Sequence, residues 1–156
     1  MWVRIDNRLV HGQIIESWVP HVQARDIWVV NDELAADELR KEIMRLAVPQ
    51  GVDILFSTPS MITGDLERKY IGRYERKDFL VLFASCRDAK SAFEQGFDFS
   101  LLNVANIHYS PGKKQICDHV ALNEEDISCI GFFSRKGVRL DFRCVPNKPV
   151  QVRTLW

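Results

Sequence analysis

The chain has 156 residues, 46% of them hydrophobic and 27% charged, with 21 Lys and Arg against 21 Asp and Glu. A formal net charge of zero argues against a polyanion-binding surface, and so against nucleic acid as partner, because such domains are usually basic. The four cysteines (Cys86, Cys117, Cys129 and Cys144) form no CxxC pair, which removes the common zinc and thioredoxin-type patterns.

In chain order, the apolar run at 2–5 reads as a strand, and a polar junction, "DNRLVH", follows it. In "GQIIESWVPH", Ile14, Ile15, Trp18 and Val19 recur at helical spacing as one apolar stripe. "IWVV" at 27–30 is a strand covered on both faces. Asn31 and Asp32 then start a helix in which Ala36, Leu39, Ile43 and Ala47 form the inward stripe, ended by "PQG" at 49–51. Strands follow at 52–56, 79–84 and 99–104, and the charged stretch 67–78 reads as a solvated helix end and loop. Asn123 looks like an N-cap with Asp126 in the first turn, which turns Ile127, Ile130 and Phe133 inward. A last strand at 138–145 precedes a proline-marked tail, "PNKPVQVRTLW", suited to covering an edge strand. Alternating strands and helices specify an α/β fold: a doubly wound, mostly parallel central sheet with helices on both faces, as a single domain over 1–156. No signal-peptide pattern appears, and no apolar run approaches the roughly 20 residues of a membrane span. The chain therefore reads as a cytoplasmic protein with buried thiols.

The junction carries the chemistry. In an open parallel sheet, ligands bind beyond the carboxyl ends of the strands, where the connection from Asp6 to His11 lies. Gly12 opens the next helix, so an anion attached to His11 would meet the unpaired N–H groups of Gly12 and Gln13. Strand alternation places Arg4 and Asp6 on one side, and Arg8 stands three residues before the histidine. A guanidinium fits phosphoryl oxygens, and a carboxylate can fix an imidazole tautomer. The set suits a histidine that accepts and gives up a phosphoryl group without a metal, and that stands open to a donor with guanidinium groups around it. A structural reading also fits: His11 caps the helix while Arg4, Asp6 and Arg8 form an ion-pair network.

At these residues the sequence resembles the IIB components of the mannose–fructose–sorbose group of the bacterial phosphoenolpyruvate-dependent sugar phosphotransferase system. "RIDNRLVHGQ" matches that group's opening, approximately R-[IV]-D-x-R-L-[IV]-H-G-Q, at every defined position. The likeness continues through "VVNDELAADELRKEIMRLAVPQGV", "NVANIHYSPGKKQI", "VALNEEDI" and "GVRLDFRCVP". It implies a cytoplasmic phosphocarrier in which His11 takes a phosphoryl group on Nδ1 from a phosphohistidine of a IIA protein. His11 then passes the group to a sugar bound at the IIC and IID membrane components. Arg8 would stabilise the phosphoryl group, Asp6 would support the site, and no cofactor would take part. Family members commonly carry Gly-Gly where this chain has Ala105 and Asn106, a change that restricts φ. That departure keeps two alternatives open: a regulatory relay that no longer delivers to sugar, or a non-catalytic domain that binds an anion or a partner. The sequence names neither the sugar nor the oligomeric state, a homo-oligomer included.

His108, beyond the strand at 99–104, is a further candidate for the site or its docking surface, with Asn106 beside it. His21 and His119 read as structural and surface residues, and the histidine spacing supports no metal site. Cys86 reads as a buried thiol. Asp32 and Glu33 lack the G-x-G-x-x-G turn that a nucleotide cofactor requires. Trp18 and Trp28 fit packing stripes.

Overall fold

The computed structural model describes residues 1–71, 78–150 and 152. Its strands are β1 (Trp2–Ile5), β2 (Asp26–Val30), β3 (Asp53–Ser57), β4 (Phe79–Phe83), β5 (Leu101–Val104), β6 (Lys114–Cys117), β7 (Val120–Leu122) and β8 (Arg139–Asp141). Its helices are α1 (a π-helical turn, Ile14–Trp18, continuing as Val19–Val22), α2 (Asp32–Ala35), α3 (Glu38–Ala47), α4 (Ile62–Lys69), α5 (Cys86–Glu94) and α6 (Glu124–Arg135). The sheet runs β3-β2-β4-β1-β5-β8 with every neighbour parallel, the doubly wound arrangement that the alternating pattern specifies.

Both faces of this sheet are buried, with the period of two that strands impose. Val3, Ile5, Trp28, Val30, Val81 and Phe83 point to one face, beneath Ile62 of α4, Ala89 and Ala92 of α5, and Ile130 and Phe133 of α6. Ile27, Val29, Leu80 and Leu82 point to the other, beneath Ile14, Trp18 and Val19 of α1 and Leu34 of α2. Trp18 and Trp28 are thus core residues, as their stripes suggest. All four cysteines are buried free thiols.

Several local features differ from the sequence expectation. The first helix opens as a π-helix, with the Val19 N–H reaching the Ile14 carbonyl. Pro20 explains it: in a plain α-helix its ring would meet the Glu16 carbonyl four residues back, and the wider turn avoids the clash. The second helix is two helices, because Asp37 turns extended and caps α3 by accepting from the Arg40 N–H at 3.0 Å. Asn31 caps α2 through the Leu34 N–H at 3.0 Å, at the expected start.

The stripe expected to face inward on α3 instead faces out. Leu39 is 73% exposed, Ile43 58% and Leu46 87%. Met44 and Val48 pack inward, beside Lys41 and Arg45, whose cationic ends lie 5.9 and 5.2 Å from the Phe56 ring centre. A further difference is the β6–β7 hairpin, a separate two-stranded antiparallel sheet joined by the two-residue turn Asp118-His119.

At α6 the cap is as expected, a reciprocal box in which Asn123 and Asp126 each accept the other's N–H, at 2.7 and 3.2 Å. Residues 72–77 of the charged stretch and 151 and 153–156 of the tail lie outside the described residues. Val150, in the tail, packs against the core beside Leu140 and Phe142 of the β8 edge.

Chain direction locates the crevice. β1 connects over one face towards β2, while β5 connects over the other towards β8, and β1 and β5 are neighbours. Their carboxyl ends therefore part at a topological switch point, the place where open α/β sheets bind ligands.

Candidate functional site

The connections leaving β1 and β5 meet in that crevice. The Asp6 N–H continues the sheet to the Phe83 carbonyl at 2.9 Å, and the Asn7 N–H reaches the Asn106 carbonyl at 3.3 Å. Leu9 turns back with φ of 54°, an uncommon conformation for a bulky non-glycine residue, held by burial of its side chain in the α1-side core. This tight turn brings the Arg8 N–H to Asp6 Oδ1 at 3.1 Å and lifts the Arg8 side chain into solvent. The Ile14 and Ile15 N–H groups bond the His11 carbonyl, so Gly12 and Gln13 stand ahead of the first helical hydrogen bonds. Nothing crowds Gly12: a Cβ there would meet only Glu16 Oε1, at 4.0 Å.

Asp6 is the hub. Its Oδ2 accepts from Arg4 Nε and Nη2 at 3.0 and 2.8 Å, from His11 Nε2 at 3.0 Å, and from Asn106 Nδ2 at 2.8 Å. Burial pushes this carboxyl up, but the His11 hydrogen bond, the Arg4 charge and the Asn106 hydrogen bond together outweigh it and hold the pKa below its ordinary value. An ionised carboxylate only accepts. The hydrogen of the neutral imidazole therefore sits on Nε2, and the lone pair is on Nδ1. His11 Nδ1 is itself buried and has no hydrogen-bond partner among the described residues.

Two expectations need correction. Arg4 was expected against a phosphoryl group, yet its guanidinium is fully buried behind Asp6. There it donates also to Asn103 Oδ1 and the Arg143 carbonyl, and it lies 5.0 Å from the Trp18 ring centre. With its donors so engaged, Arg4 positions Asp6. Nor does His11 stand open: its side chain is 7% exposed, and the network around it is of amides and a carboxylate. The Arg8 guanidinium has no ion-pair partner among the described residues.

Of the remaining candidates, Asn106 joins the site and His108 does so only through its backbone, whose N–H donates to Asn7 Oδ1 at 3.1 Å while the ring is exposed. Asn106 takes φ of 50°, a left-handed conformation that asparagine tolerates. Its Nδ2 also donates to Gln13 Oε1 at 2.9 Å. Gln13 is accordingly held by its carbonyl end. His21 packs edge-on to Trp2 and Trp18, and His119 is exposed at the β6–β7 turn.

Sequence reasoning missed Asn7, Asn103 and the segment after β8. Asn7 Nδ2 ties the loop to the Ala84 carbonyl at 2.8 Å. Asn103 Nδ2 and Trp18 Nε1 hold the Arg143 and Cys144 carbonyls, at 2.9 and 2.8 Å. The Cys144 thiol donates to Gln13 Oε1 and Asn106 Oδ1, each at 3.3 Å.

Residues 1–153 match the family described as PTS system sorbose subfamily IIB component. The chain belongs to that family. This IIB component is 30% identical over 146 residues to the sorbose-specific EIIB component of Klebsiella pneumoniae, covering 94% of this chain and 87% of that one. It is 33% identical over 147 residues to the mannose-specific EIIAB component of Escherichia coli K12, of which it spans 44%. The crystal structure of the IIBSor domain of the Klebsiella pneumoniae sorbose permease superposes with a TM-score of 0.81 at 29% identity, over 97% of this chain and 93% of that one. A sugar phosphotransfer role follows from family membership. Among the described residues, no helix of this IIB component is long and apolar enough to cross a membrane.

Proposed function

We propose that this chain is a cytoplasmic phosphocarrier whose His11 Nδ1 accepts a phosphoryl group from a phosphohistidine on a IIA partner and passes it to a sugar held by IIC and IID membrane components. The observation that carries the reading is the pairing of His11 Nε2 with Asp6, which leaves an unpartnered lone pair on Nδ1. In the forward step that lone pair attacks phosphorus, an N–P bond forms, and the donor's P–N bond breaks with its electron pair returning to the donor imidazole. In delivery a sugar hydroxyl attacks, the His11 N–P bond breaks, and the hydroxyl proton leaves to a base in the acceptor complex. Transfer of this kind needs positioning and charge stabilisation rather than a cofactor.

The roles divide by geometry. Asp6 holds the tautomer and steadies the positive charge that the ring gains on phosphorylation. Arg4 holds Asp6. Arg8, solvent-exposed on the same loop, supplies a mobile guanidinium for the incoming phosphoryl oxygens, and the Gly12 and Gln13 N–H groups face them from the helix start. The covered Nδ1 must be bared by docking of the donor, and the same cover protects the carried group from water. Domain fusion in a relative named EIIAB supports a IIA donor. Asn106 adopts the left-handed backbone that glycine would take, which supports retention of the loop's shape and favours the carrier over a non-transport relay.

Phosphoryl transfer from a labelled IIA donor tests the proposal. Wild type is expected to take the label on His11 with the phosphorus–nitrogen coupling of an Nδ1-phosphohistidine, and His11→Ala to take none. Labelling at Nε2, or undiminished labelling of His11→Ala, would overturn it.

A further inference from the structure

Next to the His11 network lies a cavity of about 600 Å³ between the β6–β7 turn and the segment after β8. Gln13 and Cys144 line its inner end, and Gln115, Asp118, His119 and Lys148 bring polar groups to its walls and rim. Gln13 belongs to both places. Its carbonyl oxygen is taken by Asn106 Nδ2 at 2.9 Å and by the Cys144 thiol at 3.3 Å. The Nε2 amide is the end left for a ligand, and it donates. Lys148 adds a cation, His119 an imidazole, and Asp118 an acceptor.

We propose that this cavity binds a phosphorylated monosaccharide, with the phosphate on Lys148 and His119 and the sugar hydroxyls on Asp118, Gln115 and the Gln13 amide. Its size falls in the range of small-ligand sites, about 300–1,000 Å³. The lining groups pair cationic and neutral donors with one carboxylate, a combination that suits a polyhydroxylated phosphomonoester. The assignment of role rests on the phosphocarrier reading, since sugar phosphate is the product of that chemistry. A molecule held on the Gln13 Nε2 amide pulls on the same side chain whose carbonyl Asn106 holds. Because Asn106 also donates to Asp6 at 2.8 Å, occupancy is felt at the carboxylate that orients His11. The cavity is thereby a product-sensing site.

Titration of the unphosphorylated full chain with mannose 6-phosphate, fructose 1-phosphate and N-acetylgalactosamine 6-phosphate, followed by nitrogen–proton spectra, tests the binding. Inorganic phosphate and free mannose are the comparison arms. At least one sugar phosphate is expected to give saturable shifts at the Gln13 and Gln115 side-chain amides. Its affinity should exceed that of either comparison arm by about tenfold, and Lys148→Met or His119→Asn should each cost roughly tenfold, the scale of one charge-assisted hydrogen bond. Both substitutions fall on exposed residues, and spectra unchanged elsewhere confirm the fold. No shift with any of the three sugar phosphates overturns the proposal, as does inorganic phosphate binding equally well. Since no phosphoryl transfer is measured, failure here leaves His11 labelling untouched, and failure of labelling leaves a measured binding site in place.

Discussion

At the scale of single residues, the site turns on one carboxylate oxygen that four nitrogen donors share. Removing that carboxylate in Asp6→Asn frees the imidazole to take the other tautomer and strands a buried guanidinium. Phosphoryl uptake by His11 is expected to fall by roughly 10²–10⁴-fold, the range seen when a histidine loses its orienting or proton-handling partner. A rapid-quench labelling assay measures it, and uptake within a few-fold of wild type would show that Asp6 does not set the tautomer. The same carboxylate ties stability to acid. Its folded pKa lies below the unfolded value, so its contribution is present above the ordinary carboxyl range and is lost as pH falls through the lowered folded value. Arg4→Met removes one of the influences that lower it. Urea melts at pH 7 should show a loss of about 3–5 kcal/mol, typical of breaking a buried pair. Melts at decreasing pH should show a smaller further acid loss from this group, complete at a higher pH than in wild type, because the onset is set by the unfolded carboxyl.

Asn106 separates backbone from side chain. Its positive φ costs an alanine about 1–2 kcal/mol that glycine avoids, while both substitutions lose the amide bonds to Asp6 and Gln13. Asn106→Gly is therefore expected to be more stable than Asn106→Ala by about 1 kcal/mol, measured by urea denaturation, and equal stabilities would mean that the turn relaxes. None of these partners could be read from spacing alone. Arg4, Asp6, Arg8 and His11 lie within eight positions, so strand alternation and a tight turn suffice to group them. Asn106 and Cys144 reach the site only because β5 neighbours β1 and the chain returns beneath it after β8.

At the scale of elements, apolar runs located the inner strands because both faces of the sheet are covered there, whereas the edge strand expected over 138–145 is only Arg139–Asp141, the chain leaving the sheet before Arg143 and Cys144. Helix α3 shows where such reading stops. Periodicity finds an apolar stripe, but it does not say which way the stripe points. Here the inward side is served by Met44 and Val48, with the cationic ends of Lys41 and Arg45 over the Phe56 ring, an attraction of cation for aromatic face. Truncation measures the difference directly. Ile43→Ala and Leu46→Ala should each change stability by no more than about 0.5 kcal/mol, whereas Ile14→Ala, in the buried π-helical turn, should cost about 2–5 kcal/mol. Comparable costs at Ile43 and Ile14 would mean that the stripe is covered.

At the scale of the whole molecule, the site is a property of the sheet's winding order. β1 stands between β4 and β5, and the loop leaving it is tied sideways to both: Asn7 Nδ2 to the Ala84 carbonyl at 2.8 Å, and the His108 N–H to Asn7 Oδ1 at 3.1 Å. One exposed asparagine thus spans three strand ends, above a core in which it buries nothing. Asn7→Ala cuts both ties without opening a cavity. Global stability should fall only by about 1–2 kcal/mol, two ordinary hydrogen bonds, while the loop connections should open far more often than the sheet beneath. Amide hydrogen exchange resolves the two effects. Exchange at His108, Arg8 and Leu9 is expected to accelerate by more than the global loss accounts for, with Val81 and Leu82 of β4 tracking the global value. Uniform acceleration would mean that Asn7 acts through overall stability, and the crevice would then owe its shape to the strands without a sideways tie. Local acceleration would identify Asn7 as the tie that holds the loop across the strand ends.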